Sequence, residues 1–303
     1  MFWELILSMF IMFSWRIFMT LKKFLTIGFV AAVLVACGDD GSSNSVTDSD
    51  EDSSSSVCVD CDGSSSSLVG RTSCNVNIDE NCMKDSRDGQ TYKTVKIGTQ
   101  IWMAENLNYA YTDVPYNITI NGRYYTSDSI SWCFDDDASN CAKYGRLYTW
   151  AAVMDSVGAW TMNGKGCGDD KTCSPTYPVR GICPEGWHLP TKVEFEALFI
   201  AVGGTQEAEK EWLWNDVGKM LKSTSGWYNS RNGTDAYAFS ALPAGSRSHR
   251  GLFDDFGYYA SFWSSTEFDS ECVYLMDLYY YDDFANLHAI NKDYAYSVRC
   301  VKD

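Results

Sequence analysis

Residues 181–198 read GICPEGWHLPTKVEFEAL, and this stretch limits the fold more tightly than any other part of the chain. Pro190 disfavours helix in the residue before it, while Thr191 followed three residues later by Glu194 forms a reciprocal capping box. A helix is therefore predicted to begin at this point. Behind the cap, Val193, Phe195, Leu198, Phe199 and Val202 recur at mixed three- and four-residue spacing, which predicts one face packed inward. Gly203-Gly204 then ends the helix.

The amino-terminal third has a different character. Lys22 and Lys23 precede an apolar run over residues 24–35, and Leu34-Val35-Ala36-Cys37 resembles a bacterial lipobox. Residues 1–36 are thus expected to be a lipoprotein signal peptide, with Met19 as the expected start because residues 19–23 read like a second beginning. The lipobox resemblance implies acylation, palmitate included, at Cys37 and cleavage before it. Several acyl chains anchor stably because each buried methylene contributes roughly 0.8 kcal/mol. The competing readings are an ordinary secretory peptide, or a misread start with a true membrane helix. Gly38 replaces the aspartate that would retain a lipoprotein in the inner membrane, so the expected place is the outer membrane, facing the cell surface or the periplasm. Residues 37–73 are rich in Ser, Asp and Gly and too poor in apolar side chains to offset the entropy of ordering, which reads as a tether. The acidic run 48–52 reads as solvated rather than as a calcium site, and it resembles signals that send some lipoproteins to the surface.

Charge excludes one class of partner. Lys and Arg number 24 against 40 Asp and Glu, a net charge of -16, and no basic patch is present in sequence to displace phosphate counterions. Nucleic acid is not an expected partner. Calcium and neutral ligands remain compatible. Twelve cysteines beside only three histidines favour an oxidising compartment over a zinc protein.

Residues 74–303 are expected to form one domain. Alternation over 92–97, a Gly98-Thr99 turn and residues 100–103 predict a hairpin. Residues 144–155 are predicted helical, with Leu147, Trp150, Ala151 and Met154 on one side, and so are residues 206–222 with Trp212, Val217, Met220 and Leu221. Residues 238–242, 261–265, 272–280 and 296–301 are predicted strands. The resulting class is α+β: two to three helices, then a twisted, mostly antiparallel sheet of short strands. Spacing also favours three local disulfides, Cys74 with Cys82, Cys133 with Cys141 and Cys167 with Cys173. For Cys58 and Cys61 the spacing is compatible with a mutual bond and with the reduced state, and Cys272, in an apolar strand, is expected to be a buried odd thiol.

Several motifs in order carry a family resemblance: DGQTYKTVKIGTQIWMAENLNY from Asp88, GRLYTWAAVMD from Gly145, GWHLPTKVEFEAL from Gly186, FWSST from Phe262 and VRCVKD from Val298. Together they resemble the major paralogous domain family of Fibrobacter succinogenes. That family in turn looks distantly similar to the C-type-lectin-like and formylglycine-generating-enzyme fold. The lectin-like resemblance implies that the last strand returns near the beginning of the domain. It also implies a long-range disulfide, here Cys183 with Cys300, across a loop whose closure would contribute about 4 to 5 kcal/mol.

No catalytic constellation stands out: no nucleophile elbow, phosphate loop or zinc helix is present. Gly164-Lys165-Gly166-Cys167-Gly168 reads as a disulfide-bound loop, His188 as satisfying a local backbone hydrogen bond, and His249 as solvated. Glu194 belongs to the cap and Glu196 is expected to face water. Formylglycine-generating enzymes place two neighbouring cysteines on copper, but Cys272 and Cys300 are far apart in sequence, so no enzymatic activity is expected. Trp214-Asn215-Asp216 matches a lectin calcium tripeptide, but lies in a predicted helix without a partner motif. No cofactor is expected, with calcium left open at the acidic runs 135–137 and 254–255. Eleven tryptophans and nineteen tyrosines exceed the needs of a core. Tyr258, Tyr259, Tyr279, Tyr281, Asp282 and Asp283 are the candidate binding residues, since planar rings give sugar C–H faces a rigid contact. The expected function is a lipid-anchored, non-enzymatic recognition or attachment protein, with polysaccharide or an envelope component as partner. The alternatives are an enzyme with an unrecognised site and a structural surface-layer component.

Overall fold

A computed structural model describes residues 74–76, 80–120 and 123–303. The signal peptide, Cys37, the acidic run, and Cys58 and Cys61 of the tether lie outside the described residues. The chain opens with β1 (Cys82–Lys84), β2 (Thr91–Ile97) and β3 (Gln100–Met103), the last two forming the predicted hairpin with Ile97 opposite Gln100. A second hairpin, β4 (Thr112–Ile120) with β5 (Arg123–Ser129), precedes β6 (Ser131–Trp132).

The helix predicted over 144–155 is replaced by three pieces: α1 (Ala138–Tyr144), β7 (Leu147–Thr149) and α2 (Trp150–Val153). Gly145 separates the first two with φ 76°, and a Cβ there would lie 2.7 Å from Asn106 Cβ and 2.8 Å from the Leu107 carbonyl. Beyond this close passage at Gly145, Leu147–Thr149 finds strand partners on both sides, and all three of its residues are buried. The apolar spacing that suggested a helix reflects this two-sided burial.

Then come β8 (Trp187–His188), α3 (Lys192–Ala201), β9 (Thr205–Glu207), β10 (Lys210–Asn215) and α4 (Val217–Leu221). The capping box forms as expected, with Thr191 and Glu194 each bonding the other's backbone amide. Phe195, Leu198, Phe199 and Val202 are buried, but Val193 is 69% exposed and lies off that face. Glu196 is not simply solvated: its carboxylate meets Lys192 at 2.6 Å. The helix predicted over 206–222 survives only as α4. Its first half is the β9–β10 hairpin, Trp212 is exposed, and Asp216 at φ 63° breaks the strand from the helix.

The remaining strands are β11 (Ser246–Arg247), β12 (Phe253–Asp254), β13 (Tyr259–Glu267), β14 (Cys272–Tyr279), β15 (Ala285–Asn291), β16 (Ala295–Tyr296) and β17 (Val301–Lys302). Residues 238–242 form no strand. Ala238 and Ser240 have positive φ, and the Phe239 and Ser240 carbonyls accept from the buried Arg299 guanidinium instead of a neighbouring strand. The strand predicted over 296–301 splits into β16 and β17, which enter different sheets.

Instead of one sheet after the helices, sheets run through the whole domain. Three five-stranded sheets have the orders β1-β2-β3-β17-β8, β13-β14-β15-β10-β9 and β12-β11-β16-β7-β6. The class remains α+β, with most regular structure in antiparallel sheet. β17 does return to β3 and β8, and Cys183 is disulfide-bonded to Cys300 next to it. Cys74–Cys82, Cys133–Cys141 and Cys167–Cys173 are also bonded. One buried cluster packs α3 against the face of β13, β14 and β15 that carries Phe262, Met276, Leu278 and Leu287. A second lies around Trp150, Trp263 and the Cys183–Cys300 pair.

His188 does not bond local backbone through its ring. Nδ1 meets Asp303 Oδ1 at 2.7 Å and Nε2 meets Glu194 Oε1 at 2.7 Å, tying β8, β17 and the cap of α3 together. Burial opposes the charged ring, but the two carboxylates prevail and hold the His188 pKa above its ordinary value. For Glu194, burial acts upward, yet His188 and both Thr191 contacts hold its pKa below the usual value. The raised histidine stabilises the fold fully below its unfolded pKa of about 6.5 and loses that contribution as pH rises through the folded value. The lowered glutamate stabilises above its unfolded pKa and loses its share as pH falls through the folded one. Thermal melts of His188→Gln and the unsubstituted protein are expected to converge on the alkaline side and to differ most near pH 5 to 6. Parallel melting curves between pH 5 and pH 9 would contradict this.

Candidate functional site

The β13–β14 register sets Tyr259 opposite Tyr279 at the open end of the central sheet. Alternation along the chain then sends Tyr279 and Tyr281 to one side and Tyr280 to the other. On the first side Tyr259 meets Tyr279 edge-on at 4.8 Å, and Tyr279 stacks on Tyr281 at 5.4 Å. On the second, Tyr280 meets Tyr258 at 5.0 Å, and Tyr258 stacks on Tyr228 at 4.5 Å. Tyr280 and Tyr281 touch at 5.3 Å, so the rings form one continuous aromatic surface around the strand ends. Its outer members, Tyr228 and Tyr281, are 44% and 49% exposed.

The turn carrying Tyr281, Asp282 and Asp283 is held from beneath. Lys222, only 1% exposed, donates to the Tyr279 carbonyl at 3.0 Å and the Asp282 carbonyl at 2.7 Å. Its ammonium lies 3.9 Å from Asp283 Oδ1. Burial lowers the Lys222 pKa, and Asp283 and Asp282 act against that shift. Gly218 donates to the Asp283 carbonyl at 2.8 Å, and a Cβ on it would meet the Phe284 carbonyl at 2.4 Å, so only glycine lets α4 approach the turn this closely. A cleft of about 230 Å³ opens beside Tyr281, with Lys222, Arg231 and Asn232 on its walls.

Beneath the first tyrosine side sits Asp277, buried in mid-strand between Ser261 and Asn286, with its carboxylate 3.3 Å from His288 Nε2. Burial pushes the Asp277 carboxyl upward, while His288 and Ser261 pull it down. Burial and then Asp277 raise the Tyr279 hydroxyl. The phenols therefore stay neutral, able to stack and to donate hydrogen bonds. Asp282 is raised chiefly by burial, with the Phe284 amide and Lys222 opposing.

The candidate residues Tyr258, Tyr259, Tyr279, Tyr281, Asp282 and Asp283 thus share one region. A family model, the Fibrobacter succinogenes major domain, matches residues 95–302, more than half of the chain. The chain belongs to the Fibrobacter succinogenes major domain family. No curated protein and no solved structure matches it.

The match takes in every tyrosine of the surface and all of β13 to β15, so the site is part of the family's domain rather than an appendage. Tyr228, Tyr280, Lys222, Asp277 and His288 were absent from the sequence-derived site. Asp277 carried a signal, being the one charge inside the apolar run VYLMDLY; Tyr228 carried none, since it joins from a distant loop. The acidic run 135–137 lies elsewhere, with Asp137 capping α1. Trp214-Asn215-Asp216 lies at the end of β10, not in a helix, with Trp214 packed on Phe199 and the Asn215 amide donating to the Thr205 carbonyl. Among the described residues no three His, Cys, Asp or Glu side chains gather as metal ligands. His249 is half-buried near Asp293 instead of fully solvated. Cys272 is half-buried rather than buried, because it opens β14 at a hairpin end beside Asn291. Desolvation, then Asp269 and Glu271, raise its thiol pKa. Cys300 is bonded to Cys183, so Cys272 and Cys300 do not form a cysteine pair of the copper-holding kind.

Proposed function

We propose that this protein is a lipid-anchored envelope protein, acylated at Cys37, whose domain acts without catalysis in recognition or attachment and binds polysaccharide through the tyrosine surface. The continuous run of partly exposed rings at one end of the central sheet carries this reading. Stacked and edge-on rings offer a rigid apolar platform with hydroxyls at its rim, which suits the alternating C–H and O–H faces of sugars. The lipobox resemblance at residues 34–37 supports the anchor, Gly38 after it supports the outer membrane as destination, and the Ser/Asp-rich stretch supports a tether. A C-type-lectin-like ancestry is part of the same reading, supported by the returning β17 and the Cys183–Cys300 bond.

A glycan array, run with and without calcium, tests the proposal. Binding to at least one glycan class is expected, and Tyr281→Ala is expected to weaken it about tenfold, a loss of about 1.4 kcal/mol. The melting temperature should stay the same, because the Tyr281 ring is half exposed. Silence across the array, or binding indifferent to both Tyr281→Ala and Tyr228→Ala, would remove the polysaccharide reading. One observation favours the alternative of an enzyme: a buried carboxyl with a raised pKa beside His288 is the kind of group catalysis uses. That reading requires Asp277→Asn to abolish a turnover that the tyrosine variants only weaken.

A further inference from the structure

Between α2 and the Cys167–Cys173 bond, the loop over residues 156–166 puts Val157, Trp160 and Met162 into solvent, at 47%, 40% and 66% exposure. Large apolar side chains gathered within six residues on a surface mark a contact that the domain does not make by itself. The loop that carries them is held from inside. Asp155, fully buried, accepts from the amides of Ala159 at 2.9 Å, Trp160 at 2.6 Å and Thr161 at 2.8 Å, and from the Tyr111 hydroxyl at 2.6 Å. The Gly166 amide closes the base of the loop on the Ser156 carbonyl at 2.9 Å. The Trp160 ring stands edge-on to Tyr109 at 5.8 Å, with the Arg87 guanidinium 5.4 Å from it. A buried carboxylate with four donors thus sets the loop in advance, so a contact through its tip costs little further ordering.

The size and position of the tip select what covers it. The exposed parts of three side chains fall well short of the roughly 800 Å² per partner that a stable protein interface buries. A bilayer needs no matching shape, and tryptophan with aliphatic neighbours suits the boundary between headgroups and acyl chains. Residues 156–168 contain no Asp or Glu in a chain of net charge -16, so this tip enters headgroups without desolvating a carboxylate of its own. Lys165 is exposed and its stem lies beside Gly158, which lets the ammonium stay among the headgroups. Cys74, the first described residue, lines one cleft with Arg87 and Tyr109, the two side chains that back Trp160. The chain coming from Cys37 therefore enters the domain on the side where Trp160 stands.

We propose that Val157, Trp160 and Met162 form a membrane knuckle that dips into the interfacial layer of the phospholipid bilayer, an inference that rests on the lipid-anchor reading above. An anchor on the same chain holds the knuckle at high local concentration over the lipid, so a weak insertion is enough. The contact fixes which face of the domain lies against the membrane.

Tryptophan quenching in vesicles tests this. The full chain is mixed with an excess of phosphatidylcholine vesicles whose lipids carry bromine high on their acyl chains. Among the described tryptophans only Trp160 and Trp212 are exposed, so Trp212→Phe is a built-in control. The quenched part of the emission is expected to fall about twofold or more in Trp160→Phe and to stay the same in Trp212→Phe. Met162→Asp should lower it as well, with the parent melting temperature kept because that side chain faces solvent. Equal quenching in Trp160→Phe and the parent overturns the proposal. So does a dimer in solution that Trp160→Phe disperses, which would give the tip to a second copy of the chain. The mass of the amino-terminal peptide reads acylation at Cys37 separately. An acylated chain with Trp160 unquenched sinks the knuckle and leaves the anchor, while an unacylated chain with Trp160 quenched does the reverse.

Discussion

Cys300→Ser is expected to cost this domain about 5 kcal/mol, more than the loss of any of the three short-range disulfides. The Cys183–Cys300 bond spans 117 residues, and the chain-entropy account of loop closure gives about 4.9 kcal/mol for a loop of that length. The other three bonds close separations of six or eight residues, for which the same account gives about 2 to 2.5 kcal/mol. Both long-range sulfurs are fully buried in the cluster around Trp150 and Trp263, so a serine would also bury a hydroxyl there. The bond further fixes the segment through which Met103 donates to the Cys300 carbonyl and β17 pairs with β3 and β8. Urea unfolding of Cys300→Ser and Cys74→Ser under oxidising conditions measures the difference. If the two variants lose the same stability to within about 1 kcal/mol, the long loop is not the main brace.

Lys222→Met is expected to lose about 2 to 4 kcal/mol of stability and, with it, binding at the tyrosine surface. Removing a buried charged donor leaves the Tyr279 and Asp282 carbonyls without a partner, and bonds to charged groups contribute about 1.5 to 3 kcal/mol each. The turn those carbonyls belong to carries Tyr281, so its ring no longer keeps its 5.4 Å stack on Tyr279. Lys222→Arg is not expected to rescue, because a planar fork does not fit a socket shaped around one ammonium. Arg231→Ala, at an exposed position with one long contact to the Tyr281 carbonyl, serves as control and should cost under about 1 kcal/mol. Thermal melts read the stability part, at about 2 to 4 °C per kcal/mol for a domain of this size. Binding unchanged in a folded Lys222→Met would show that the turn needs no support from below.

What could be read in advance follows the range of the interactions. The Thr191 cap, the β2–β3 hairpin and the three short disulfides each join residues a few positions apart, and all are visible as local patterns. The helices expected over 144–155 and 206–222 survive only in part, as α2 and α4. Leu147, Trp150 and Met154, like Trp212 and Val217, recur at helical spacing, yet β7 is buried on both faces and Trp212 is exposed on a hairpin. Periodicity cannot separate a helix face from a short strand buried on two sides.

The candidate site divides in the same way. Tyr258, Tyr259, Tyr279 and Tyr281 are neighbours in sequence or across one hairpin, so adjacency and alternation were enough to group them. Tyr228 reaches the same surface from 30 residues away in sequence and Lys222 from 57, and His288 reaches Asp277 only through the β14–β15 register. The sequence by itself determined the cap, the turns, the short covalent loops and which rings would be abundant, because each depends on backbone and side chains within one turn or hairpin. Only the tertiary structure decided which buried cation supports the tyrosine turn and which distant ring completes its aromatic surface. Burial and pairing are relations between distant segments, and no local pattern records them.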